Sequence, residues 1–313
     1  MLNKFCDPKH NTDFKPHFVT DHKNILITGT TGFIGYHLAR TLSANNTIYC
    51  VVRAQSNLSK LKTLSNLHCI YYDGTRTSLE TAIQPLKLDL VYHLASLFIA
   101  EHKPENVDDL IDSNIKFPTQ LLEVITQTQK DMKFINTGTA WQNYVGAEYN
   151  PVCLYAATKQ SFEDILKYYH EAQQLSCITL RLYDTYGMED ERKKLIWLLH
   201  DLKNTSRSLD MSPGEQRLNL VHIDDVISAY ILAGERLSSL PTTVNEVYGV
   251  YNQHDYSLKE IVDIFEHINA CKLKINWGKR EYRMREVMQP TYPHGLVPGW
   301  IPKYANLADG FKN

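Results

Sequence analysis

Apolar and polar positions fall in blocks along this chain. Asn24-Ile25-Leu26-Ile27-Thr28, Thr47-Ile48-Tyr49-Cys50-Val51-Val52, Cys69-Ile70-Tyr71-Tyr72 and Lys133-Phe134-Ile135-Asn136 are short and apolar at nearly every position. That is the mark of strands covered on both faces. Asp89–Ala95 and Cys177–Leu182 read the same way. Helical spacing appears between them, at Tyr36–Ser43, over residues 106–127, from Tyr155 through Phe162, Ile165 and Leu166 to Tyr169, and at Leu195–Leu202. The pattern predicts an α/β fold on a parallel sheet. The first 21 residues are polar and aperiodic and read as a leader or surface strap. The mixed charges of Asp190–Lys194 read as a solvated face.

One junction carries chemistry. The strand Asn24–Thr28 runs into Gly29-Thr30-Thr31-Gly32-Phe33-Ile34-Gly35 and then a helix. Strand, glycine turn and helix are the setting of a dinucleotide fingerprint: the first glycine allows the reversal, the second admits pyrophosphate, the third lets helix and strand pack. The phosphates then lie at the positive helix end. Arg53, closing the second strand, can pair with the 2′-phosphate of NADP, where an acidic residue would select NAD.

Composition narrows the classes. At 313 residues, 43% hydrophobic and 22% charged, the chain is an ordinary globular protein with a sizeable core. A net charge of −2 gives no electrostatic case for nucleic acid or an anionic membrane. Six scattered cysteines, without C-x-x-C spacing, argue against a disulfide framework or a zinc site, and no metal site is expected. No apolar run approaches the ~18 residues of a spanning helix, and the expected location is the cytoplasm.

Tyr155-Ala156-Ala157-Thr158-Lys159 places a phenol and an ammonium one helical turn apart, and no other of the nineteen tyrosines has a lysine four residues on. Free tyrosine, with a pKa near 10, needs about 4 kcal/mol to become a useful acid at neutral pH. A cation about 4 Å away at an effective dielectric of about 20 supplies that much.

These motifs, with Asp89-Leu90-Val91-Tyr92-His93-Leu94-Ala95, Arg181–Gly187 and Val297-Pro298-Gly299-Trp300, resemble the extended short-chain dehydrogenase/reductase family of nucleotide-sugar enzymes over residues 24–313. The resemblance implies a Rossmann-like doubly wound sheet over residues 22–183, with 219–250 returning to it. It also implies a smaller substrate-binding lobe from 184–218 and 251–313, after the leader 1–21. It makes Thr139, Tyr155 and Lys159 catalytic, and Gly29, Thr31, Gly32, Phe33, Ile34, Gly35, Arg53, Leu94, Ala95 and Ser96 cofactor-binding, with Tyr155 and Lys159. Asp73 would meet the adenine amino group beside Gly74, or simply form the turn. His93, inside an apolar run, reads as a core histidine. Thr139, Ala140, Trp141 and Asp184 would face the substrate, with Arg217, Arg283 or Arg285 gripping its diphosphate. Phe117 stands where the family's N-x-x-G-T has glycine, and Asp184 where it has asparagine. The helix following Tyr155 would join a four-helix homodimer interface.

Residues 136–142 and 184–187 look most like reductases of CDP-linked 4-keto-3,6-dideoxy sugars, the CDP-abequose and CDP-paratose synthase type. The implied reaction is hydride transfer from NADPH to the carbonyl of a nucleotide-linked ketosugar, a CDP-sugar favoured, with Tyr155 as proton donor, for surface polysaccharide. Ala140 and Trp141 stand where dehydratases keep an acid/base pair. A C4 epimerase holding NAD tightly is the alternative, and a non-catalytic NADP(H)-binding regulator is the alternative of another class.

Overall fold

The structure, a computed structural model, describes residues 21–312 except Ala147 and Ser206, so all but the last residue of the expected leader lies outside the described residues. Strands β1 (Asn24–Thr28), β2 (Thr47–Val52), β3 (Leu67–Tyr71), β4 (Leu90–His93), β5 (Lys133–Thr139) and β6 (Ser176–Leu182) alternate with α1 (Phe33–Leu42), α2 (Arg76–Ile83), α3 (Val107–Ile111), α4 (Phe117–Thr128) and α5 (Leu154–Gln173). Beyond come β7 (Asp184–Tyr186), α6 (Leu195–Thr205), β8 (Ser208–Asp210), β9 (Arg217–Leu218), β10 (Leu220–His222), α7 (Ile223–Ser239), β11 (Asn245–Val250), β12 (Tyr256–Ser257), α8 (Leu258–Ile268), β13 (Lys274–Asn276) and α9 (Leu307–Gly310).

The central sheet has seven parallel strands in the order β11-β6-β5-β4-β1-β2-β3. Leu26, Val91 and Phe134 bury one face against Leu121, Ile125, Phe162 and Leu166 of α4 and α5. Ile25, Ile27 and Tyr92 bury the other against Leu38 of α1 and Val226 and Tyr230 of α7. This is the Rossmann-like doubly wound sheet. Leu199, Leu202, Ile261, Val262 and Phe265 form a separate apolar cluster joining α6 to α8.

Of the boundaries that differ from the sequence reading, two bear on the site. Helix α1 begins at Phe33 rather than Tyr36, because the turn closes early: the Gly32 amide bonds the Gly29 carbonyl at 3.0 Å and Gly32 caps the helix. The helix read over 106–127 is broken by a π-turn at Asp112–Lys116. Asn114 on that turn is buried and reaches out of its helix to hold Leu97 and Thr158. Just beyond it, Phe117 packs against His93 and Tyr72.

Candidate active site

The tips of β1 and β4 form the floor. The Thr28 hydroxyl oxygen accepts from the amides of Leu94 (3.1 Å) and Ala95 (3.0 Å), and lies 2.9 Å from His93 Nδ1. With its lone pairs so used, Thr28 donates to Nδ1, which puts the imidazole proton on Nε2. That nitrogen is buried without a partner, and the ring packs among Phe117, Phe134 and Phe162. Burial, and then the Lys159 charge, holds the His93 pKa well below its ordinary value. His93 is a core histidine with one unmet donor.

The glycine loop closes over that floor. Gly29 has φ +76°, and a Cβ there would lie 2.7 Å from the Ala95 amide. A Cβ on Gly35 would overlap the Gly29 carbonyl. The backbone is therefore drawn tight at the start of α1, whose first turn carries no acidic residue. Thr31 and Gly32 face solvent, while Phe33 and Ile34 are half-buried. This cradle fits a dinucleotide pyrophosphate. Arg53 is exposed just after β2, and its backbone is engaged with Ser56. Asp73 is also exposed, and its Oδ1 accepts from the Thr75 amide (2.9 Å) and hydroxyl (2.7 Å), which hold its pKa low. Asp73 thus forms the turn before Gly74, which has φ +100°.

A cavity of about 830 Å³ opens beside this cradle, and Ile34, Leu94, Ser96, Arg217 and Arg280 are among the residues that line it. Thr139, Ala140, Trp141, Tyr155, Asp184 and Arg283 line it too, so most of the expected substrate residues converge here. Thr139 ends β5; its hydroxyl oxygen accepts from the Trp141 amide at 3.3 Å, and its amide donates to Gln142 Oε1 at 2.9 Å. Tyr155 stands in the first turn of α5 with Phe98 edge-on at 5.0 Å. Asn114 steadies that turn through Thr158, whose hydroxyl bonds the Tyr155 carbonyl.

The electrostatics correct one expectation. Burial raises the Tyr155 phenol to about 12, with the Ser96 hydroxyl working weakly the other way. Lys159 does not offset that burial: burial also brings the ammonium's own pKa down to about 8, so it is largely uncharged by the pH at which the phenol ionises. In this site the lysine, not the phenol, titrates near neutrality.

The cationic side also differs from the sequence reading. Arg285 does not line the cavity: it donates to Asn150 and lies 4.5 Å over the Tyr144 ring. Arg283 lines it, stacked 5.3 Å over Trp141 and bonded to both oxygens of Glu286. Arg217 is held by Glu260 and the Asp255 carbonyl. The run at 190–194 is not simply a solvated face, for Arg192 and Lys194 both line the cavity. Lys194 sits 4.9 Å over Phe98, and burial lowers its pKa. Burial conversely raises that of Asp184, against the pull of Lys194, Arg192 and Arg283. Nothing in the local spacing singled out Lys194 or Phe98; the 187–195 connection brings in the first and the segment after β4 the second.

A model of the NAD dependent epimerase/dehydratase family matches residues 25–251. A CDP-abequose synthase of Yersinia pseudotuberculosis is 31% identical over 274 residues, covering 86% of this chain and 92% of that protein. Another, from Salmonella typhimurium, is 25% identical over 289 residues, covering 90% and 93%. Among solved structures, UDP-glucuronic acid 4-epimerase from Bacillus cereus, in complex with UDP-glucuronic acid and NAD, superposes with TM-score 0.76 at 21% identity, covering 92% of this chain and 96% of that one. The dTDP-glucose 4,6-dehydratase DesIV from Streptomyces venezuelae gives TM-score 0.78 at 18% identity, covering 92% and 94%. The chain belongs to the NAD dependent epimerase/dehydratase family and is an enzyme of the NAD(P)-dependent oxidoreductase type.

Proposed function

From that membership we propose that the protein is an NADPH-dependent reductase of a nucleotide-linked ketosugar, a CDP-linked one favoured. The observation that carries this is the meeting of Thr139 and Tyr155 on the wall of one cavity, with Lys159 a turn behind and the cations Arg192, Lys194 and Arg283 lining the same cavity. The two relatives named as CDP-abequose synthases support the nucleotide. The reduced dinucleotide, when bound, supplies the hydride.

The chain's residues do the rest. The Thr139 hydroxyl accepts from Trp141 and keeps its own proton to donate to the carbonyl oxygen. Tyr155, fully protonated because burial holds its pKa near 12, hands its proton to that oxygen as negative charge develops there. The Lys159 ammonium then stabilises the phenolate, an interaction stronger in the transition state than before it. Lys194, whose ammonium has no ion-pair partner among the described residues, is the best placed cation for the substrate diphosphate, with Arg283 next to it. Arg53 selects NADPH through the 2′-phosphate. A homodimer through the outward faces of α4 and α5, and a role in surface-polysaccharide sugars, belong to the same reading.

The test is a panel of CDP-, GDP- and dTDP-ketosugars, each with NADPH and with NADH. Loss of NADPH absorbance with a CDP-ketosugar is expected, reduced about 10²–10⁴-fold in Tyr155→Phe. Near-normal turnover by that variant, or no consumption with any ketosugar, overturns the reading. Interconversion of sugars with no added reductant would favour the epimerase.

A further inference from the structure

Behind Thr139 and Lys159 lies a buried ion pair. Arg181 on β6 and Glu163 on α5 meet at 2.6 Å, with side chains only 7% and 10% exposed. A pair this buried is costly unless its remaining hydrogen-bonding groups are met. The Glu163 oxygens are met: Oε2 takes Arg181 and Oε1 takes Gln142 Nε2 at 2.9 Å. Gln142 in turn accepts the Thr139 amide on its own Oε1 at 2.9 Å. Arg181 also reaches Asn143 and Gln160. A chain of bonds therefore runs from β6, through α5, to the turn that carries Thr139. It fits so closely that a Cβ on Gly138 would lie 2.8 Å from Glu163 Oε1 and 3.0 Å from Gln142 Oε1.

Glu163 is one helical turn past Lys159 and two past Tyr155. The groups around Lys159 are Tyr155 and Glu163 on its own helix and His93 on β4, with Arg181 and Cys177 on β6 facing Glu163. Of these Glu163 is the one carboxylate.

We propose that Glu163 is a positioning residue of the site: clamped by Arg181 and Gln142, its carboxylate fixes the turn of Thr139 against the helix of Tyr155 and gives Lys159 its counter-charge. This rests on the catalytic roles argued above for Thr139, Tyr155 and Lys159. It assigns the Arg181–Glu163 pair to charge placement rather than to stability, where buried pairs contribute little. Consistently, the carboxylate raises the lysine pKa that burial lowers to about 8.

The test is Glu163→Gln, read by titrating the Lys159 side chain in protein carrying ¹³C at the lysine ε-carbon, with Lys159→Arg assigning the signal. The wild-type signal is expected to titrate near 8. In Glu163→Gln it should titrate about one pH unit lower, and the alkaline limb of kcat should fall with it. Glu163→Gln/Arg181→Met leaves no unpaired arginine behind, so it guards against misfolding, and a lowering in the same direction is expected there, smaller because the Arg181 charge goes too. A purely structural role would lower the melting temperature and leave the lysine titration in place. An unchanged Lys159 titration in either folded variant overturns the proposal. The titration needs no substrate, so a failure of the ketoreductase reading, with no sugar reduced, is told apart from a failure of this one.

Discussion

At the scale of single residues, burial acts on the phenol and the ammonium in opposite senses. Tyr155 is pushed up to about 12 and Lys159 down from 10.5 to about 8, and in both cases the neutral form gains. The lysine is therefore a liability to the fold. Its penalty is absent above about pH 10.5, grows as pH falls, and is complete below about pH 8. Lys159→Met, similar in volume and uncharged, removes it. That variant is expected to be more stable than the wild type at pH 7, by up to about 3 kcal/mol, and equal to it near pH 10.5. Denaturant melts at the two pH values check this, and turnover should be lost in the same protein. A wild type as stable as the variant at pH 7 would mean that Lys159 is not desolvated.

At the scale of elements, glycines separate tight packing from mere turning. Gly35 is pressed against the Gly29 carbonyl backbone, which cannot yield, whereas Gly74 has open space around it. Gly35→Ala should force the loop off the start of α1 and weaken NADPH binding at least about tenfold in a fluorescence titration. Gly74→Ala meets only its positive φ and should cost about 1 kcal/mol with binding unchanged. The same contrast explains what could be read in the sequence. Strands β1 and β2 were legible to the residue, because strands covered on both faces are written as unbroken apolar runs. The glycine loop and the Tyr155 helix were legible because their chemistry is local in sequence. The π-turn at 112–116 was not, because Asn114 makes it through bonds to residues 17 and 44 positions away. β5 runs on through Thr137-Gly138-Thr139 because it pairs along all of β6, which no polar tripeptide announces. Arg283 and Arg285 were equal candidates in the sequence, and which of them faces the cavity depends on how the chain crosses the site.

At the scale of the whole molecule, that crossing is what closes the cavity. The segment 283–291 clasps Trp141, Asn143, Tyr144 and Asn150, which follow β5. Arg283 stacks on Trp141, Arg285 stacks on Tyr144 and bonds Asn150, and Thr291 bonds the Asn143 carbonyl at 3.1 Å. Tyr183 pins the same segment through the Thr291 carbonyl. Arg285 thus acts outside the cavity, holding in register two segments that line it. A stacked guanidinium contributes about 0.5–2 kcal/mol. If the clasp orders the substrate wall and nothing else, Arg285→Ala should raise KM for the sugar nucleotide several-fold, roughly in proportion to that energy. NADPH affinity should stay within error, since the glycine cradle does not touch the clasp, and kcat should change less than KM, since Thr139 meets the clasp through the Trp141 backbone amide and not through Arg285. Arg285→Lys keeps the charge but loses the planar stack and the fork, and should fall with the alanine variant rather than the wild type. A weakened NADPH affinity would instead place Arg285 in the cofactor's service, and an unchanged KM would show that the two segments stay in register without it.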